Sequence, residues 1–357
     1  MKKTNEIHRG LDEREMQRYF KELMTFSVPN EDNRRIGKEI PEIEEYDLVD
    51  ERKINGHLQK RFVRLHYTYF IDLLKELASD KSFYHTYITA EDVKQGAVPK
   101  NLSVLIKEMG HQYSMIAEVE HQKMYAEALG SRVLNFYGVS TVYNKVLNNE
   151  GTLFVLSLDF LRPYEHFYVA QDLCEENEIW VSNSLENNLN SIDKDIDILK
   201  QRIEIEFGAT GVTADKEQIK RDFVMSYLIR VFLLGDTDFN SRNYGFIYDI
   251  KSNQIKTAPN YDFELTFGMS NKNFSGFVEK FKEIYAKYPD IMEEFLKKTS
   301  QLAKVGVFGK SKFDKIFIKE TDENMNVLHF PKIVIGNAQN LIKTAEKENI
   351  LNASGMF

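Results

Sequence analysis

The stretch "FLLGDTDFNSRNYGFIYDI", residues 232–250, places three Asp and two Asn between two apolar runs. A core-forming pattern is interrupted there by side chains that carry hard oxygen atoms, and the reading of the whole chain turns on why. Asp238 and Asn243 stand five apart, on a loop entered from the helical run "DKEQIKRDFVMSYLIRVFLLG" that closes at Gly235. The following "YGFIYDI" reads as a strand, and "IKTAPNYDF" as a second strand with Asp262 at its end. A carboxylate, an amide carbonyl and a second carboxylate are the donors that octahedral Mg²⁺ takes alongside phosphate oxygens and water. A carboxylate held within hydrogen-bond reach of a hydroxyl can also receive its proton. The same letters fit a plainer structure, an Asx-rich turn in which Asp236, Asp238 and Asn240 bond their own backbone. An EF-hand is the weaker match, because the Gly and the closing Glu are not at their required positions.

Outward from the loop, the chain divides by pattern. Residues 1–40 are highly charged, with Leu11, Met16, Phe20 and Met24 at helical spacing, and read as a charged helical extension followed by a linker. In residues 41–161 a short β-rich run, "NLSVLIKEMG", precedes "AEVEHQKMYAEALGSRVLNFYG", whose apolar residues recur at three and four and which closes at Gly138. "VSTVYNKVLNNEGTLFVLSLDFL" then reads as strand, turn, strand, so this part is a small mixed lobe. Residues 162–357 read as mainly helical. Ile219, Phe223, Tyr227, Leu228 and Val231 share one face of a buried helix, and "FSGFVEKFKEIYAKY", "DIMEEFLKKTSQLAKV" and "IVIGNAQNLIKTAEKEN" supply three more. The fold class expected is α+β in two lobes.

Bulk properties exclude several function classes. The 357 residues, 42% hydrophobic, suffice for two cores. The net charge of -8 is spread along the chain with no basic block to neutralise a row of phosphates, which argues against nucleic acid as a partner. Cys174, the single cysteine, excludes an internal disulfide and a cysteine-cluster zinc site and reads as a structural thiol. No run approaches the length needed to cross a bilayer, and a cytoplasmic protein is expected.

"LLGDTDFNSRNYGFIYD" with "TAPNYDFELTFG" resembles the HipA-like serine/threonine kinases, whose catalytic loop pairs Thr-Asp with a following Asn and whose metal aspartate sits in a P-x-Y-D segment. The resemblance implies a two-lobed protein-kinase-like fold that uses ATP and Mg²⁺. It makes Asp238 the catalytic aspartate that accepts a Ser or Thr hydroxyl proton of a protein substrate, and Asn243 and Asp262 the metal ligands. Asp236 matches nothing the family requires. Where the family often has His two residues after the catalytic Asp, this chain has Asn240. In the small lobe the resemblance assigns Lys107, in "VLIK", to the ATP phosphates and Glu127 to orienting it, although an exposed strand-end Lys and a solvated helix-face Glu would read the same way. "TLFVLSLDFLRP" resembles the strand and hinge where backbone groups of Ser157 and Leu158 would meet adenine. A glycine-rich phosphate loop is not matched: "ITAEDVKQGAVPKNLSVLIK" holds only Gly96, with Lys94 and Lys100 as nearby cations. Some family members are toxins restrained by a DNA-binding antitoxin partner and others act alone, and the motifs are shared by both. The motifs leave three rivals standing, a nucleotide-binding pseudokinase, a kinase of small molecules or lipids, and a non-enzymatic surface-binding protein whose acidic loop is only a turn.

Overall fold

In the computed structural model the described residues are 59–66, 101–108, 115–149, 152–161, 164–173, 185–266, 275–308, 330–348 and 350. The charged extension 1–40, Cys174, Lys94, Gly96 and Lys100 lie outside them. Two units divide the chain, one running to Pro163 and taking in Pro259–Glu264, the other comprising Tyr164–Ala258 and everything from Leu265 onward. The expected boundary stood at 161/162; the further difference is that the Asp262 segment groups with the first unit and not with the mainly helical part.

The first unit is built on alternation. β1 (Gln59–His66), β2 (Asn101–Glu108), β3 (Asn144–Asn149) and β4 (Thr152–Leu158) form an antiparallel sheet in the order β1-β2-β4-β3. Ile106 of β2 faces Leu156 of β4, and Val146 of β3 faces Val155, so β4 is an internal strand paired on both sides. Between β2 and β3 runs α1 (Met115–Phe136). Its C-terminal half is buried on nearly every side, from Ala126 to Phe136, which is the pattern of a helix enclosed by core. It ends as expected at Gly138, whose φ of 73° places it in the left-handed region. There the Gly138 N–H donates to Asn135 O at 2.8 Å and the Val139 N–H to Leu134 O at 3.0 Å, satisfying carbonyls that the last turn would leave bare.

The second unit is mainly helical, as its apolar spacing indicates, but it also carries a four-stranded sheet. β5 (Glu165–Val169), β7 (Gly245–Asp249), β8 (Gln254–Thr257) and β6 (Thr213–Ala214) lie in the order β5-β7-β8-β6. β7 and β8 are the hairpin read from the sequence; β8 stops at Thr257, well short of Asp262. α2 (Leu185–Phe207) escaped the reading because Asn and Asp crowd its sequence, yet Leu185, Leu189, Ile192, Ile196, Leu199 and Ile203 form an unbroken buried stripe. α3 (Lys216–Tyr227) starts at Asp215, whose side chain accepts the Gln218 N–H. It passes directly into a π-helical turn, Leu228–Leu233, closed by a Leu234 N–H to Ile229 O bond of 2.9 Å and by Gly235 at φ 64°. α4 (Ser275–Lys287), α5 (Pro289–Phe308) and α6 (Phe330–Lys347) complete the unit, and Asn337 of α6 donates to Leu233 O at 2.8 Å. Among the described residues no helix is long and apolar enough to cross a membrane.

Candidate functional site

The π turn exists to seat Arg230. Inserting one extra residue per turn re-aims a side chain, and such turns gather at functional sites. Arg230 is fully buried; its Nε donates to Asp236 Oδ2 at 2.7 Å and its Nη2 lies 2.6 Å from the same oxygen. Its guanidinium stands 4.5 Å from the centre of the Phe239 ring, and Nη1 reaches Asn243 O at 3.4 Å. Asp236, the acid that the motif does not require, is therefore the anchor of the loop. Its other oxygen accepts the Asp238 N–H at 2.9 Å. Burial pushes the Asp236 carboxyl above the usual carboxylate range, against the opposing pull of Arg230 and of the Asp238 N–H.

Within this loop the Asp and Asn residues divide by task. Asp236 and Asn240 make Asx turns, Asn240 Oδ1 accepting the Arg242 N–H at 2.9 Å, so the plainer reading of the sequence holds for those two. Asp238 does not cap its own backbone. Its Oδ1 accepts from Asn240 Nδ2 at 2.8 Å and its Oδ2 from Asn243 Nδ2 at 3.0 Å, which fixes the plane of a half-buried carboxylate. Asn243 Nδ2 also reaches Asp238 O at 2.7 Å, so Oδ1 is the atom this amide can offer to a cation. Ser241 ties the loop to the 3-10 turn after β5 through Gln171, Oγ to Oε1 at 2.7 Å, with the Gln171 N–H returning to Ser241 O at 2.9 Å. The structure thus brings Asp238 and Asn243 together, and Asn240 is a second amide donor to the Asp238 carboxylate.

The Asp262 segment is held inside the first unit. The Val142 N–H donates to Asn260 O at 3.0 Å, the Asn260 N–H to Ser140 O at 2.9 Å, and Asn260 Nδ2 to Ser140 O at 3.1 Å. Phe263 is fully buried against α1 at Gly130, where an added Cβ would stand 2.7 Å from the Phe263 ring. Between these anchors Asp262 takes φ 60°, a conformation that costs a non-glycine residue and that persists only where the surroundings impose it. The Phe263 N–H donates to Oε2 of Glu127 at 3.1 Å. Glu127 is 2% exposed, which removes the solvated-face reading of that residue. Ligand oxygens of Glu127, Asp262 and Glu264 lie within 4.8 Å of one another. Oε2 of Glu264 is buried with no hydrogen-bond partner among the described residues. These are hard oxygen donors of the kind Mg²⁺ selects, and the set fits a divalent cation.

Lys107 lies in β2 with its backbone opposite Lys60 and Val155; its side chain lies outside what is described. Ser157 and Leu158 belong to internal strand β4, and the Leu158 N–H donates to Tyr143 O at 3.1 Å. That N–H is held by Tyr143, just ahead of β3. The Ser157 side chain turns to a different use, donating to Asn144 Oδ1. Arg230, its pairing with Asp236, and Asn144 are what sequence reasoning missed. A lone Arg in an otherwise apolar helical run, six residues before an Asp, was the one signal available for the first two.

No family model matches the chain, and no curated protein does. Solved structures do. A Helicobacter pylori proinflammatory kinase, CtkA, matches with a TM-score of 0.46 and 11% identity over 86% of this chain and 97% of that one. The Shewanella oneidensis HipA, in its complex with HipB and operator DNA, matches with a TM-score of 0.39 and 10% identity over 89% of this chain and 71% of that one. The chain is similar to both at this level, and its functional reading rests on the residues of the two acid-bearing turns.

Proposed function

We propose that the chain is an ATP- and Mg²⁺-dependent serine/threonine kinase of the HipA-like type, with the two-lobed fold that its motifs imply. The observation that carries this reading is the division of labour in the 236–243 loop. Asp236 and Asn240 build the turn, while Asp238 is left half-buried with both oxygens oriented by amide donors. A turn made for its own sake has no need of that second carboxylate.

In the proposed reaction Asp238 accepts the proton of a Ser or Thr hydroxyl as that oxygen forms its bond to the γ-phosphorus of ATP and the bond from phosphorus to the β,γ-bridging oxygen breaks, leaving ADP. Asn240 and Asn243 hold the carboxylate in one plane, so no reorientation is needed at the moment of transfer. Mg²⁺, when bound, would neutralise charge on the phosphates; Asn243 Oδ1 and the Asp262 carboxylate are its proposed protein ligands, with Glu264 beside Asp262. Lys107 is the proposed phosphate contact.

The purified protein with γ-labelled ATP tests this. Label should pass to protein Ser or Thr, on the chain itself or on an added substrate, in Mg²⁺ and not in excess EDTA. ATP binding without transfer would instead make the chain a nucleotide-binding regulator, and transfer only to small hydroxyl compounds would make it a small-molecule kinase. The family's antitoxin-type partner is checked by what co-purifies with the tagged chain at native expression.

A further inference from the structure

We propose that Asn144 is a positioning residue for the Asp262 turn, acting through Glu127. The proposal rests on the kinase reading, because it gives the turn a task. Asn144 opens β3 and is 3% exposed. Its Nδ2 donates to two atoms of one residue on α1, Glu127 O at 3.3 Å and Glu127 Oε2 at 3.4 Å. Its Oδ1 accepts from Ser157 Oγ in β4. The same Glu127 Oε2 accepts the Phe263 N–H at 3.1 Å, one residue past Asp262. The buried chain therefore runs from β4 through β3 to α1 and ends on the backbone of the one residue that follows the strained aspartate.

Each member of the chain needs the next. A buried carboxylate is costly unless donors face it, and a buried amide is costly unless both its ends are satisfied. Asn144 answers both demands with a neutral group: it supplies a donor to Glu127 without cancelling the charge that attracts the Phe263 N–H. A Lys or Arg in that place would compete with the backbone N–H for the carboxylate, and an apolar residue would leave Oε2 with one donor fewer. Ser157 fixes which end of the amide faces Glu127, since a hydroxyl that donates to Oδ1 turns Nδ2 the other way. The φ of 60° at Asp262 is then maintained by a rigid partner on each side, Phe263 on Glu127 and Asn260 on the Ser140–Val142 segment. Groups one layer behind a metal ligand act in this way, orienting it without touching the ion.

The test uses the full chain with Mn²⁺ as the probe, its binding read by electron paramagnetic resonance in the presence of a non-hydrolysable ATP analogue. Asn144→Leu, close in volume, should weaken Mn²⁺ by about 10-fold or more, the range for a lost orienting group. Half-saturating Mg²⁺ for transfer should rise by the same factor while the rate at saturating Mg²⁺ changes far less, a split that a general loss of folding would not produce. Hydrogen exchange at the Phe263 amide should accelerate in the same variant. Ser157→Ala removes one hydroxyl and keeps the core; it should shift Mn²⁺ affinity in the same direction by less, and it decides the matter if Asn144→Leu fails to fold. Unchanged Mn²⁺ affinity in both variants, with a wild type that binds, overturns the role of Asn144 and leaves the kinase reading intact. A wild type that binds neither Mn²⁺ nor the analogue overturns the kinase reading and this role with it.

Discussion

In the Asp238 loop a buried cation does the holding. Arg230 reaches Asp236 six positions away and Asn243 thirteen positions away, and a single guanidinium meets a carboxylate, a ring face and a carbonyl. In the Asp262 turn the holding is done by a carboxylate and by main-chain groups, and the bonds join residues 136 and 120 positions apart. The first arrangement is charge-assisted and nearly local; the second is distributed and exists only once α1, β3 and the chain after β8 have come together. Charge-assisted bonds are roughly twice as strong as neutral ones, each of which adds about 1 kcal/mol net; in the second arrangement the Glu127–Phe263 bond is of the stronger kind and the Asn260 bonds are neutral. The loop that carries the proposed base is thus locked, and the turn that carries the proposed metal ligand is held by several small contributions that can be weakened one at a time.

The largest effect should come from the group that braces nothing. Asp238→Ala removes the proposed base and should slow transfer by about 10²–10⁴-fold, while the thermal midpoint stays close to wild type. If the midpoint falls sharply instead, Asp238 is part of the brace and the contrast between its role and that of Asp236 is lost. Asp236→Ala should do the reverse of a simple activity loss. It leaves Arg230 buried without its carboxylate and should cost about 3–5 kcal/mol in urea unfolding. The paired change Arg230→Met with Asp236→Leu should recover most of that stability and none of the transfer rate, because an apolar pair can fill the space without holding the Asp238 N–H. Recovery of both would show that the ion pair only fills volume.

On the other side of the comparison the costs should be smaller. Gly130→Ala drives a methyl into the Phe263 ring, and overpacking of this kind costs about 1–3 kcal/mol; a thermal melt gives the value, and faster exchange at the Phe263 amide would place the damage in the Asp262 turn. Thr141→Val removes the hydroxyl that donates to Asn260 O at 3.2 Å and should cost about 1 kcal/mol. A loss as large as that of Asp236→Ala would mean the turn is no more distributed than the loop.

The same contrast explains what the sequence revealed. Gly235, Asp236, Asp238, Asn240 and Asn243 are close neighbours in the chain, so their spacing alone announced a polar loop between a helix and a strand. The helix end at Gly138 and the hairpin of β7 and β8 were legible for the same reason. Long-range placement was not. Nothing in "PNYDF" says that Asn260 will pair with Ser140 or that Phe263 will sit on Gly130, and nothing in "YNKV" marks Asn144 as more than a strand residue. Nor does anything in "TLFVLSL" say that the Leu158 N–H will meet Tyr143 O. α2 was hidden by composition: its Asn and Asp residues signal turns, and the buried stripe outweighs them only when the whole helix is counted.

The most direct test of the account is the single-turnover rate of label transfer from ATP for wild type, Asp238→Ala, Asp262→Asn and the double variant. Residues that serve one chemical step are strongly non-additive. The double variant should therefore be no slower than the worse of the two singles, with both singles severely impaired. Effects that multiply, or a wild type that transfers no label at all, would contradict the proposal that Asp238 and Asp262 serve one phosphoryl transfer.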